Sequence, residues 1–300
     1  MKIFIFLPND NNGPCGGGNQ FLTGLKDEFI KRNLFTNNIS EATVILFNSH
    51  HKLNYIKSIK LNFPKIKIFH RIDGLHQLWR KNGKETDNIV KNFANNYADG
   101  VIFQSRWSEE IFKKYGIYIN KKTKIIPNAA LDNVFKKQNK IKENKKKIEL
   151  ITTCWSNGIH KGIEFYMYLD KNLNFNKYNY TYIGQIPEGY AFKNIKHLPP
   201  MDKNNLSLYL QKSDIFISGV KIDAASNSIT EALTTGLPVL YLDAGGNKEI
   251  VKKGGIAFNS NNDIIEKLEI IVENYDKYYK DIIIPSIRDI ANKYIKFFNT

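Results

Sequence analysis

Read for hydrophobic and polar positions alone, the chain alternates short unbroken apolar runs with amphipathic stretches. KIFIFLP (2–8), ATVILFN (42–48), KIKIFHR (65–71), GVIFQS (100–105) and TKIIPN (123–128) predict buried strands, with helices at 19–32, 52–60, 84–97 and 106–115 between them. A strand covered on both faces has no polar side, so it appears as a continuous apolar run rather than an alternation. The second half repeats the scheme. KIELITTC (147–154), YTYIGQ (180–185), DIFISG (214–219) and LPVLYLD (237–243) predict strands, with helices near 161–173, 203–213 and 228–236. Strands and helices alternating at these lengths predict an α/β protein built from two doubly wound, Rossmann-like domains.

Between the halves, residues 129–147 lose periodicity and gain lysine, as a surface linker does. The expected domains are therefore 1–140 and 141–284. The last segment, PSIRDIANKYIKFFNT (285–300), follows a proline and predicts an amphipathic terminal helix. In open α/β sheets ligands bind beyond the carboxyl ends of the strands, so the expected site is a cleft between the two sheets.

Composition narrows the class. No apolar run approaches the roughly 18–20 residues of a membrane-spanning helix, and MKIFIFLPND reads as a first strand rather than a signal peptide. The two cysteines, Cys15 and Cys154, have no metal-type spacing, which points to free thiols in a reduced, cytoplasmic setting. The net charge is +15, and it is uneven: residues 1–140 hold 23 Lys+Arg against 11 Asp+Glu, while residues 141–300 hold 21 against 18. Nucleic acid, an anionic membrane surface or a phosphorylated ligand could each answer such a field. Solvated lysine-rich faces account for it as well, since only five of the basic residues are arginine.

Four stretches could carry chemistry, and all follow strands. In NDNNGPCGGGNQFLTGL (9–25), Gly16, Gly17 and Gly18 would let backbone amides approach an anion at a helix start. The stretch matches neither the dinucleotide fingerprint nor the phosphate loop. In HRIDGLHQLW (70–79), His70, Asp73 and His76 sit where a His–Asp pair could shuttle protons or hold a sugar hydroxyl. Their spacing is not that of a zinc helix, and no metal is expected. In CWSNGIHKGIEFYMYLD (154–170), Lys161 before Gly162 places an ammonium at a helix start, where both suit a diphosphate. In DAASNSITEALTTGLPVLYLDAGG (223–246), Ser228 and Glu231 match a capping box. That leaves Asp223 and the small residues between unexplained.

Together these elements resemble the type-B glycosyltransferases (GT-B fold), in particular the large family-four group of retaining, nucleotide-sugar-dependent enzymes. The resemblance spans nearly the whole chain and is strongest over 147–258. It rests there on Lys161-Gly162, on Asp223 and Glu231 eight positions apart, on EALTTGLPV (231–239) and on GGNKEIVKKGG (245–255). In the first half it rests on the glycine-rich loop, ADGVIFQSRWSEEIFKKYG (98–116) and KIIPNA (124–129). It implies two Rossmann-like domains facing across a cleft, with the terminal helix crossing back to the first, acceptor-side domain.

By position, the resemblance implies that Glu231 bonds the nucleotide's ribose. Asp223 with Ala225, Ser226, Asn227 and Ser228 would hold the donor sugar and phosphate. Lys161 would neutralise the diphosphate, with Gly16, Gly17 and Gly18 facing it. His70 and then Asp73 would stand near the reacting sugar, completing with Lys161 and Asp223 the catalytic set. Two departures stand out: Asp223 replaces the family's usual glutamate, and Trp155 occupies the place of its phosphate-binding arginine. The implied reaction is metal-independent sugar transfer with retention, from a nucleoside-diphosphate sugar to a glycan or lipid-linked acceptor. No cofactor beyond that donor is expected, and a uridine donor is expected before a guanosine one.

Two other classes remain. A basic nucleic-acid-binding protein would need aromatic platforms or a recognition helix among the lysines, and neither is found. A Rossmann oxidoreductase would need the missing dinucleotide fingerprint. The basic first half also leaves open peripheral contact with an anionic membrane.

Overall fold

The computed structural model describes residues 1–7, 17–137 and 147–300. Gly16 and Cys15 lie outside the described residues, as does most of the lysine-rich run at 135–147, and Gly17 is described only as the first residue of a helix. The chain divides into two compact units, Met1–Ala129 with Pro285–Thr300, and Ala130–Ile284.

The first unit is built on a five-stranded sheet in the order β1-β2-β3-β4-β5. Its elements are β1 (Ile3–Ile5), α1 (Gly17–Lys31), β2 (Val44–Asn48), α2 (Leu53–Asn62), β3 (Lys67–Arg71), α3 (Gly83–Tyr97), β4 (Gly100–Phe103), α4 (Arg106–Lys114) and β5 (Thr123–Ile125). Every pairing is parallel, so all five carboxyl ends share one edge. Side chains alternate between faces. Ile45, Phe47 and Ile68 pack on α2 and Phe93 of α3, while Val44, Leu46 and Phe69 pack on α1.

The second unit carries a six-stranded sheet in the order β11-β10-β9-β6-β7-β8, again wholly parallel. In chain order it holds β6 (Ile148–Cys154), α5 (Ile163–Asn172), β7 (Tyr178–Gly184), β8 (Lys196–Leu198), α6 (Lys203–Lys212) and β9 (Ile215–Ser218). Then come α7 (Asn227–Thr235), β10 (Val239–Leu242), α8 (Asn247–Val251), β11 (Gly255–Phe258), α9 (Ile264–Glu273) and α10 (Tyr275–Lys280). The outer strands β8 and β11 are not among the expected ones: β8 has a single apolar residue, and β11 is only four residues long and opens on Gly255. Among the described residues no helix is long and apolar enough to cross a membrane.

The final helix, α11 (Ile287–Phe298), belongs to the first unit. Ser286 and Asp289 form its capping box, and Ile287, Ile290, Ala291, Tyr294, Phe297 and Phe298 are buried. Phe298 meets Phe69 of β3 at 4.7 Å and Phe29 of α1 at 6.4 Å. Residues 130–137 differ from the linker reading. Leu131 and Phe135 are buried in the core of the second unit, and the carbonyl of Val134 accepts from Ser207 Oγ at 2.7 Å. The apolar positions 131, 134 and 135 form one helical turn, too short to stand out among the lysines.

Candidate functional site

In the second unit three loops leave the carboxyl ends of neighbouring strands β6, β9 and β10. The first carries Lys161, which ends a 3-10 turn, Ile159–Lys161. Gly162 follows with φ 82° and opens α5, and a Cβ there would strike the backbone oxygen of Gly219 in the next loop. Glycine is required on both counts, handedness and contact. The amide of Lys221 donates to the carbonyl of His160 at 2.9 Å, closing the same seam.

The β9 loop is held on its other side too. The carbonyl of Asp223 accepts from Gly246 N at 2.9 Å. Fully buried Asn247 donates from Nδ2 to Val220 O at 2.9 Å and Leu242 O at 3.2 Å. Asn247 is a positioning residue that the sequence flagged only as a neighbour of a glycine pair.

Asp223 is the hub. Its Oδ2 accepts from Lys161 Nζ at 2.8 Å, and its Oδ1 from Ala225 N at 3.2 Å. Both side chains of the ion pair remain partly exposed, 21% for Lys161 and 25% for Asp223. Burial pulls the Lys161 ammonium down, but the attraction of Asp223 outweighs it and the net direction is up. Burial, aided by Lys161, holds the neighbouring His160 imidazole down to about 4, so it is uncharged at neutral pH. Trp155, at the mouth of the same loop, is exposed. The thiol of Cys154 is pushed up by burial and is not a thiolate at neutral pH.

The start of α7 departs from the expected capping box. Its cap is Ser226, whose Oγ accepts from Ile229 N at 3.5 Å, and Asn227 is the first helical residue. Ser228 Oγ pairs with Ser226 Oγ at 2.9 Å instead. This sets Glu231 at the fifth helical position, a turn too far along to reach back to the cap. Its side chain is buried, makes no hydrogen bond to a described residue, and burial pushes its carboxyl up to about 8. A titratable group so shifted beside a strand-end loop is a candidate for ligand contact. Ala225 and Ser226 are buried beside it, and Asn227 stands at the helix mouth.

The carboxyl edge of the first sheet is built differently. Arg71, the last residue of β3, is fully buried beneath Phe21 of α1, its guanidinium 5.0 Å from the ring. It donates to Asn48 Oδ1, to Asn128 Oδ1 at 2.6 Å and to Asp73 Oδ1 at 3.2 Å. Asp73 also accepts from Asn48 Nδ2 at 2.9 Å and from Gln104 Nε2 at 2.9 Å. Gln104 Oε1 accepts in turn from Asn128 Nδ2 at 3.1 Å. Asn48, Arg71, Gln104 and Asn128 were not singled out in the sequence, yet they fix Asp73, whose side chain is 35% exposed. The start of α1 lies over this network, with the Cβ position of Gly18 3.7 Å from Asn48 Nδ2.

His70 must be reassigned. It is fully buried, stacks on Phe47 at 4.3 Å, and its Nε2 donates to Ser49 O at 2.7 Å. Burial lowers it to about 4, so it is neutral. It packs between the sheet and α3, against Phe47 and Phe93, and has no exposure in this structure, unlike the open position expected of it. His76 is likewise buried, bonded through Nδ1 to Asp87 Oδ1 at 2.9 Å. Among the described residues no group of three or more His, Cys, Asp or Glu side chains is arranged to hold a metal ion.

Residues 177–284 match the family of glycosyl transferases, group 1. This match supports the resemblance read from the sequence, and the group 1 segment includes Asp223, α7 and the turn at 244–247. No curated protein matches the chain by sequence. Among solved structures, sucrose-phosphate synthase from Thermosynechococcus elongatus is 12% identical with a TM-score of 0.76, covering 99% of this chain and 98% of that one. HepE from Anabaena, in complex with UDP, is 15% identical with a TM-score of 0.68, covering 99% and 95%. The pneumococcal O-GlcNAc transferase GtfA, in complex with UDP and GlcNAc, is 12% identical with a TM-score of 0.63, covering 91% and 59%. At these identities the likeness shows the fold: it is GT-B.

Proposed function

We propose that the chain transfers a sugar from a nucleoside-diphosphate donor to an acceptor hydroxyl with retention of configuration, the second unit taking the donor and the first the acceptor. The carrying observation is the Lys161–Asp223 pair in the loops after adjacent strands, beside the start of α7 and its buried Glu231, which has no hydrogen bond to a described residue. A uridine donor is the first choice, supported by the UDP and UDP-glucose complexes of HepE.

In transfer, the bond from the anomeric carbon to the diphosphate oxygen breaks and a bond to the acceptor oxygen forms. Negative charge grows on the leaving diphosphate, so stabilisation belongs there. Lys161 supplies an ammonium, and the starts of α5 and α7 supply amides. Asp223 holds that ammonium until the phosphate takes it over, then is free to accept from a sugar hydroxyl. The acceptor's proton leaves with the diphosphate. Glu231, a turn inside α7, bonds a ribose hydroxyl. Gly17 and Gly18 at the start of α1, and Asp73 on its network, are the first unit's contributions.

Incubation with UDP- and GDP-sugars, following release of UDP or GDP, tests this. Turnover with a UDP-sugar is expected, with Lys161→Ala slowing it and Glu231→Gln weakening donor binding. Absence of both binding and turnover with either donor class would overturn the reading.

A further inference from the structure

The loops after β2 and β3 hold a cluster of titratable groups that donor chemistry leaves unused. His50 and His51 lie with ring centroids 4.4 Å apart, and His50 meets His76 edge-on at 5.0 Å. His76 is 5.7 Å from Trp79, whose ring carries the Arg80 guanidinium at 4.2 Å. Asp87 anchors this arrangement, accepting from the amides of His76 and Gln77 at 2.9 Å each. His51, Trp79 and Arg80 are exposed and His50 is half-buried. Lys52 and Lys81 flank them in sequence, and no Asp or Glu occurs between Glu41 and Asp73.

The turn carrying the two histidines is held in an unusual form. Ser49 and Lys52 have φ of 56° and 55°, a region that residues with a Cβ avoid. Ser49 is pinned at three points: its amide donates to Arg71 O at 2.8 Å, its carbonyl accepts from His70, and its Oγ bonds His50 Nδ1 at 3.0 Å. Buried His70 thus serves this turn. Strain maintained by such over-determination collects at functional sites.

The charged groups acting on His50 are His51, His76 and Arg80, which repel its proton, and Asp73, which attracts it. Asp73 is already engaged by Arg71, Asn48 and Gln104. Burial and this repulsion hold His50 down to about 4. An oxyanion set among these rings would accept their N–H groups and favour their protonated forms. Trp79 would offer an apolar wall to the carbon skeleton that bears it.

We propose that the loops after β2 and β3 form a binding site for a phosphate monoester, held by His50, His51 and Arg80, and that the acceptor of the transfer carries this phosphate. Only the word acceptor rests on the glycosyl-transfer reading; the anion site stands on the first unit alone.

Two probes separate the sources of such a phosphate: calorimetric titration with glycerol 3-phosphate, and sedimentation with phosphatidylcholine vesicles with or without phosphatidic acid. Both are run without nucleotide. Binding of one or both is expected, weakened roughly tenfold by His51→Ala or Arg80→Ala, each removing a charge-assisted bond, and unchanged by Lys161→Ala. Sulfate, dianionic throughout, should compete better at pH 6 than at pH 8, because His50 takes up a proton on binding. Binding of neither probe overturns the proposal, as does binding indifferent to both exposed variants. Phosphate binding without any nucleotide-sugar binding would uphold this site and refute the transfer reading alone.

Discussion

The two sheets prepare charge at their carboxyl edges in opposite ways. At the first, Arg71 has no exposure, and side chains from the ends of four strands meet it or one another. These side chains bond to one another, and together they hold a single carboxylate, Asp73, in place. At the second, Lys161 and Asp223 meet where solvent still reaches them, and Glu231 is buried with no hydrogen bond to a described residue. There the backbone is fixed, through Gly162, Gly219 and Gly246, while the paired charges stay within reach of solvent. An edge that must recognise one shape benefits from rigid side chains. An edge that must exchange a partner for a diphosphate benefits from side chains that can let go.

The sharpest way to break this contrast is to remove one cation from each edge. Arg71→Met removes a fully buried cation, takes the ion-pair partner from Asp73 and leaves the amide oxygens of Asn48 and Asn128 without this donor, and should cost about 3–5 kcal/mol in urea unfolding. Lys161→Met should cost less than about 1 kcal/mol, since its pair is partly solvated, while turnover slows. Equal costs would dissolve the distinction.

Next comes the backbone claim. Gly162 and Gly189 share φ 82°, but a Cβ at Gly189 meets nothing within 4 Å. Gly189→Ala should therefore show the handedness cost alone, about 1 kcal/mol, and Gly162→Ala about 2–3 kcal/mol. Similar melting temperatures for the two variants would mean the loops are not locked together.

Glu231 separates stability from binding. Its folded value of about 8 lies above the ordinary 4.5, so between these the folded state holds the extra proton. Its contribution to stability is then fully present below about 4.5 and declines as pH rises through about 8. His70, lowered to about 4 from 6.5 in the first unit, acts oppositely and gains stability as pH rises through that window. Glu231→Gln should flatten the decline between about pH 4.5 and 8 in pH-dependent unfolding while weakening donor binding by about 1–3 kcal/mol. An unchanged decline would mean the carboxyl is ionised in the fold. The smallest effect concerns the cap: Ser226→Ala should cost about 1 kcal/mol and Ser228→Ala less than about 0.5 kcal/mol, measured by thermal melting.

These differences also explain what the sequence could disclose. Buried parallel strands announce themselves as apolar runs, and Lys161-Gly162 and Asp223 stand in stretches whose local chemistry is unusual. The Arg71 network is dispersed, because Asn48, Gln104 and Asn128 are each an ordinary polar residue following a different strand. Only strand pairing brings them together. His70 was misread for want of a parity argument: it shares a face with Ile68, toward α2, whereas Arg71 shares the α1 face with Phe69. Ser226 and Ser228 compete as caps in one short stretch, and composition does not choose between them.

The return of α11 to the first unit imposes an order on the birth of the molecule. While the chain is being synthesised, Phe29 and Phe69 emerge early, yet the helix that covers them follows the entire second unit. The continuous second unit can finish folding first, leaving the earlier-made domain open along one face until α11 docks. The domain translated first is thus the one completed last, and a ribosome halted before Pro285 would release it with an uncovered apolar flank.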